Sequence, residues 1–146
     1  SHVMASFIRK FYEASKNSLP SVTCWGTGKP LREFLHVDDL GDAVVFALEK
    51  WDPSAINGPK DENNNKLTIL NVGTGKDISI KDLAYKISNF VNYKGKIIWD
   101  KNKPDGTPKK LLNIQKIKSL GWNPKISLKE GIKDAIKSFE NENDFL

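Results

Sequence analysis

Residues 25–39 read WGTGKPLREFLHVDD, and the fold follows from how this stretch is divided. Gly26, Gly28 and Pro30 mark a tight turn after Trp25. The run 32–37 that follows carries Phe34, Leu35 and Val37 and reads as extended. Asp38 or Asp39 can then cap a helix, because a carboxylate there accepts bonds from free helix N–H groups. That helix places Leu40, Ala43, Val44, Ala47, Leu48 and Trp51 at helical spacing. Upstream, Val22-Thr-Cys-Trp25 reads as a short strand. The unit is strand, turn, strand, helix, and it sets an α/β expectation.

The flanking sequence extends this pattern. Residues 3–16 carry Val3, Phe7 and Phe11 with Met4, Ile8 and Tyr12 at four-residue spacing, one apolar helical stripe. Leu19-Pro20-Ser21 ends it. Residues 52–66 are polar and Asn-rich and read as a solvated loop. The run 67–72 reads as a buried strand feeding Gly73-Thr-Gly75. Ser79 opens a helix that buries Ile80, Leu83, Ala84, Ile87, Phe90 and Val91. Residues 96–99 form a further short strand, and KNKPDGTPKK (101–110) is irregular with a Pro-Asp-Gly turn. Asn113 starts a short helix closed by Gly121, and Ser127 with Glu130 matches a capping box before a last helix. The strand at 67–72 needs cover on both faces from few strands, so the chain is expected to be a portion of a larger protein.

Composition narrows the classes. The 146 residues carry a net charge of +5 and a single cysteine, Cys24. One cysteine excludes an internal disulfide and a multi-cysteine metal site. No apolar run reaches the roughly 18 to 20 residues that span a bilayer, and no signal pattern opens the chain, so a cytoplasmic protein is expected. The lysines are dispersed without a basic stripe or aromatic-interleaved motif, which argues against nucleic acid; the charge reads either as a lysine-rich solvated surface or as attraction to a phosphorylated small molecule.

Each candidate for chemistry has a plain structural reading beside it. Neither Gly26-Thr-Gly28 nor Gly73-Thr-Gly75 completes a dinucleotide fingerprint, since Leu31 and Ile78 stand where a third glycine is required. Tyr12 and Lys16 spell Y-x-x-x-K, but Tyr12 falls on the apolar stripe. His2 and His36 have no second ligand at metal spacing. Cys24 reads as a buried, inert thiol. Arg32, set by a turn at the head of an extended run, can present its planar fork to a phosphate, or pair with Glu33, Asp38 or Asp39. Trp25 reads as core or platform, Asp105 as a turn residue or contact, and Lys10 as solvated or anion-binding.

Taken together, these residues resemble the C-terminal half of the GDP-L-fucose synthase family of extended short-chain dehydrogenases. The resemblance is carried by W-G-x-G-x-P-x-R-E-F-L-H-V-D-D at 25–39, N-V-G-T-G at 71–75, K-P-D-G-T-P-x-K-L-L at 103–112, L-G-W at 120–122 and I-S-L at 126–128. It extends to the opening Ser1-His2-Val3. The family implies a Rossmann-like parent that uses NADP to epimerise and reduce a GDP-4-keto-6-deoxymannose. Residues 1–146 would be its substrate-binding portion, with the nucleotide-binding Rossmann half absent. It further implies that His2 touches NADP and acts as an acid in epimerisation, and that Lys10, Trp25, Arg32 and Asp105 bind the GDP-sugar. Lys10 stands where relatives often have Arg. The parent is expected to be a homodimer, and the chain alone inactive. Alternatives are a related nucleotide-sugar dehydratase or epimerase, a non-catalytic basic binding module, and a truncated piece with no function of its own.

Overall fold

The computed structural model describes residues 2–143. In chain order they form α1 (Val3–Lys16), β1 (Ser21–Trp25), β2 (Leu31–Glu33), α2 (Val37–Lys50), β3 (Asp77–Ser79), α3 (Ile80–Phe90), β4 (Lys96–Asp100), β5 (Lys109–Lys110), α4 (Gln115–Ser119) and α5 (Leu128–Asn143). Five helices and short strands give the expected α/β class. The chain divides into two compact units: residues 1–32, 78–110 and 129–146 form one, and residues 33–77 and 111–128 the other.

In the first unit β1 and β4 pair in parallel, Ser21 opposite Lys96 through Trp25 opposite Asp100. Parallel pairing requires a long crossover, and α3 supplies its last part. α1 buries Phe7, Ile8, Phe11 and Ala14, and α3 buries Leu83, Ala84 and Ile87. Phe11 meets Phe7 and Tyr93 with ring centroids 5.8 and 5.7 Å apart. Val22, Cys24, Ile132 and Ile136 complete this core. Ser79 caps α3: its Oγ accepts the Asp82 N–H at 3.0 Å and donates to the Asp82 carboxylate at 2.7 Å. β2 and β5 are a second parallel pair, Leu31 opposite Lys109 and Arg32 opposite Lys110, in a three-stranded sheet ordered β3-β2-β5.

The second unit packs Ala43, Ile114, Ile117 and Trp122 into a buried cluster, with Leu35, Phe46, Leu70 and Val72 against it. Two expectations fail here. The run 67–72 forms no strand, and Ile69 is 77% exposed. A strand needs a neighbour that bonds it along its length; here the Leu67 N–H donates to the Pro59 carbonyl at 3.1 Å but no ladder continues from it, and Leu70 and Val72 pack while the backbone stays irregular. The cap of α2 is also not an aspartate. The extended run stops at Glu33, and His36 takes the N-cap, its Nδ1 accepting the Asp38 N–H at 3.2 Å. Asp39, 2% exposed, instead accepts the backbone N–H groups of Lys125 and Ile126 at 3.0 and 2.9 Å. Its neighbour Asp42 accepts from Trp122 Nε1 and Lys125 Nζ, both at 2.8 Å. The Lys125 bond, then the Trp122 bond, holds the Asp42 carboxyl below the usual carboxylate value.

Candidate functional site

Two loops define the site in the first unit. One leaves β1 at Trp25 and rejoins structure at β2; the other leaves β4 at Asp100 and rejoins at β5. Their starting strands are parallel partners and so are their ending strands, so the loops run side by side. Gly26 N–H donates to the Asp100 carbonyl at 2.9 Å at one end, and Leu31 N–H to the Pro108 carbonyl at 2.8 Å at the other.

Asp105 ties the loops together in between. Its carboxylate accepts the Thr27 N–H at 2.6 Å and the Thr27 hydroxyl at 2.7 Å. The hydroxyl bond is the larger cause, ahead of the backbone bond and the Lys29 charge, in holding this carboxyl below the usual value. Gly26 has φ +79°, and a side chain on it would run into that carboxylate, so glycine is required twice over.

Two side chains that had plain structural readings are left available by this frame. Trp25 is 66% exposed, with Lys103 Nζ 5.3 Å from its ring centroid, a cation–π arrangement. A core role for Trp25 is therefore excluded. Arg32 donates from Nη1 to the Leu31 carbonyl at 2.7 Å. None of the three carboxylates weighed as its partner takes it up. Glu33 is occupied elsewhere: it accepts the Thr74 N–H at 2.7 Å, the Gly75 N–H at 2.5 Å, the Thr74 hydroxyl at 3.2 Å and the Leu112 N–H at 3.1 Å. Nη2 of Arg32 lies beside Gly106, where an added Cβ would sit 3.8 Å away; with φ +74° this glycine forms the turn over the guanidinium. A fork with most of its five donors unspent suits a phosphate, and an exposed indole suits a planar group.

Lys10 reaches β1 from α1, donating to the Thr23 carbonyl at 3.3 Å, two residues before Trp25. Along α1 it also lines a cleft of about 930 Å³ with His2, Met4, Ile8 and Phe139. His2 is the N-cap of α1, exposed, and its imidazole caps no helix N–H. The structure thus puts Trp25 at the end of β1 and Arg32 on β2, at the two ends of the first loop, with Asp105 on the second loop, and His2 and Lys10 at the cap and on the body of α1. Tyr12 packs edge-on against Phe139 at 5.4 Å, which fits a core side chain and not an acid. Cys24 is fully buried, and desolvation pushes its thiol up to about 11, against the smaller opposing charge of Lys10. Among the described residues no cluster of three or more potential metal ligands occurs. No helix among the described residues is long and apolar enough to cross a membrane.

Thr27 and Lys103 are residues of this loop pair that sequence reading missed, and the bonds of Glu33 within the second unit were missed with them. Glu33 was visible only as a neighbour for Arg32. Its real partners lie 41 to 79 positions away in the chain.

The NAD-dependent epimerase/dehydratase family matches residues 1–61. The chain is 44% identical to a probable GDP-L-fucose synthase of Oryza sativa, over 94% of this chain and 38% of that protein. It is 46% identical to a putative GDP-L-fucose synthase of Arabidopsis thaliana, over 90% of this chain and 36% of that protein. Among solved structures, a GDP-mannoheptose C4 reductase from Campylobacter jejuni with NADP bound superposes with a TM-score of 0.79 at 33% identity, over 96% of this chain and 45% of that one. The chain thus spans less than half the length of these relatives.

Proposed function

We propose that this chain belongs to the NAD-dependent epimerase/dehydratase family, whose model matches residues 1–61, and that it is the sugar-nucleotide-binding portion of a GDP-L-fucose synthase. The observation that carries this reading is the unspent guanidinium of Arg32, turned over by Gly106 on the loop pair that also exposes Trp25. Arg32 holds the diphosphate with its fork. Trp25 offers a flat face to the nucleotide sugar, and Lys103 above it adds charge. Asp105 shapes the loops through Thr27, and each of its oxygens keeps a lone pair for the ligand. Lys10 adds positive charge from α1.

The nicotinamide cofactor, NADP, would supply hydride to the C4 carbonyl of the keto sugar when bound. The residues present fit only one edge of it. His2, exposed and capping no helix N–H, can give one contact and donate a proton during epimerisation at the carbons flanking that carbonyl. Neither Gly-Thr-Gly loop forms a dinucleotide cradle. We therefore assign the main cofactor site, and the remaining acid–base groups, to an N-terminal half of the parent. α2 supports this assignment. Val37, Leu40, Val44, Val45 and Leu48 on it are 46% to 82% exposed, an apolar surface of the kind that marks an interface. The parent, read this way, is a cytoplasmic homodimer, and residues 1–146 alone are inactive.

Calorimetric titration with GDP and UDP tests the reading. GDP should bind more tightly than UDP, and Arg32→Ala should weaken GDP about 10- to 100-fold, the loss of charged hydrogen bonds worth roughly 1.5–3 kcal/mol. The chain should not turn over a GDP-4-keto sugar with NADPH. Equal binding of UDP, or turnover by the isolated chain, would sink it.

A further inference from the structure

We infer that Lys103 is a movable phosphate-binding residue: its ammonium rests on the Trp25 indole in the free chain and leaves it for the phosphates of an incoming nucleotide, which uncovers the ring. This deepens, and rests on, the GDP-binding reading above. Lys103 Nζ lies 5.3 Å from the centroid of the Trp25 ring. The backbone puts it there. Trp25 stands opposite Asp100 in the β1–β4 register. The Asp100 carbonyl accepts two N–H groups, that of Gly26 at 2.9 Å and that of Lys103 at 3.2 Å. The Asp100 side chain accepts the Asn102 N–H at 3.1 Å, which shapes the turn between them. The residue after the indole and the residue bearing the ammonium therefore hang from one oxygen.

The ammonium is held weakly enough to move. Lys103 is exposed, and among the described residues no carboxylate pairs with it. Asp105, two residues on, spends its carboxylate on Thr27. A cation–π contact at an exposed site favours the resting position about two- to fivefold. A charge-assisted bond to phosphate is worth about ten- to a hundredfold. A phosphate within reach therefore takes the ammonium from the ring. Reach is set by the loop. Arg32 Nη2 lies beside Gly106, three residues after Lys103, and three residues span at most about 11 Å of backbone. The long lysine stem and the arginine fork close that gap from either side. One diphosphate can thus engage both cations, and the indole face is freed for the planar group only when the phosphates have arrived.

The test uses the 146-residue chain with inorganic pyrophosphate, which has phosphates and no base, and with GDP. Protons above an indole ring are shifted upfield by its ring current, so the Lys103 ε-methylene resonance reports by NMR where the ammonium sits. GDP affinity is read by calorimetry, in the unmodified chain and in Lys103→Met, which keeps a similar stem without the charge. The expected result is an upfield ε-methylene in the free chain that returns to the ordinary lysine position as pyrophosphate saturates, and a GDP Kd raised about three- to tenfold in Lys103→Met. A methylene that stays upfield at saturating pyrophosphate overturns the movement and leaves the GDP reading standing. So does a Lys103→Met chain that binds GDP as tightly as the unmodified one. An unmodified chain that binds neither GDP nor pyrophosphate brings down that reading, and this role with it.

Discussion

Cys24 shows how burial alone sets the behaviour of a reactive group. It lies on β1 between two side chains that face the other way, and its exposure is nil. Desolvation raises its ionisation to about 11, from an ordinary value of 9.0. The folded state therefore keeps the thiol neutral where the unfolded chain would ionise. Its contribution to stability is complete below pH 9 and declines as pH rises toward 11, by about 1.4 kcal/mol per pH unit. Melting curves between pH 8 and 11 should accordingly fall more steeply for the native chain than for Cys24→Ala, and an aromatic disulfide reagent should leave Cys24 unlabelled at pH 8. Parallel pH profiles, or rapid labelling, would contradict this. The same residue scale separates Arg32 from Glu33. Adjacent in sequence and opposite in charge, they invite an ion pair, yet each goes its own way because three backbone N–H groups offer the carboxylate better-aligned partners.

At the scale of elements, the site depends on two irregular loops held by one carboxylate. The turns were legible from Gly26, Gly28, Pro30 and the Pro-Asp-Gly at 104–106. That they lie side by side was not, because the parallel register of β1 with β4 joins residues 75 positions apart. Asp105 makes the closure acid-sensitive. Its carboxyl is depressed by the Thr27 bonds, so the latch is intact above the ordinary aspartate value and is lost as pH falls below it. The Thr27 amide proton resonance should move as pH drops below 3.8, and should stay flat in Asp105→Asn. A flat profile in the native chain would show that the loops close without Asp105. The α2 cap makes the same point about reach: His36, Asp38 and Asp39 all stand at the helix start, and only the packing of residues 125–126 decides that Asp39 is drawn away from the cap.

For the whole molecule, the uneven use of apolar residues is the informative feature. α2 carries Leu40, Ala43, Val44 and Leu48 at helical spacing; Ala43 is buried, but the other three are 46%, 51% and 82% exposed. On one helix they make an exposed apolar face of the kind that marks an interaction surface. The isolated chain should self-associate as concentration rises, and Leu48→Lys should move the onset to higher concentration without lowering the melting temperature. Light scattering that finds both chains equally monomeric would remove the interface. The sequence by itself determined the α/β class, the positions of α1 and α3, the turns at 26–30 and 104–106, and the motifs that tie the chain to its relatives. These are local: they follow from side-chain periodicity and from glycine and proline, which act within a few residues. Only the tertiary structure decided that 67–72 is not a strand, that His36 caps α2, that Trp25 faces outward, and that Glu33 grips the backbone of two distant segments. Each depends on which donor, acceptor or apolar face arrives from elsewhere in the chain, and no local pattern encodes that arrival.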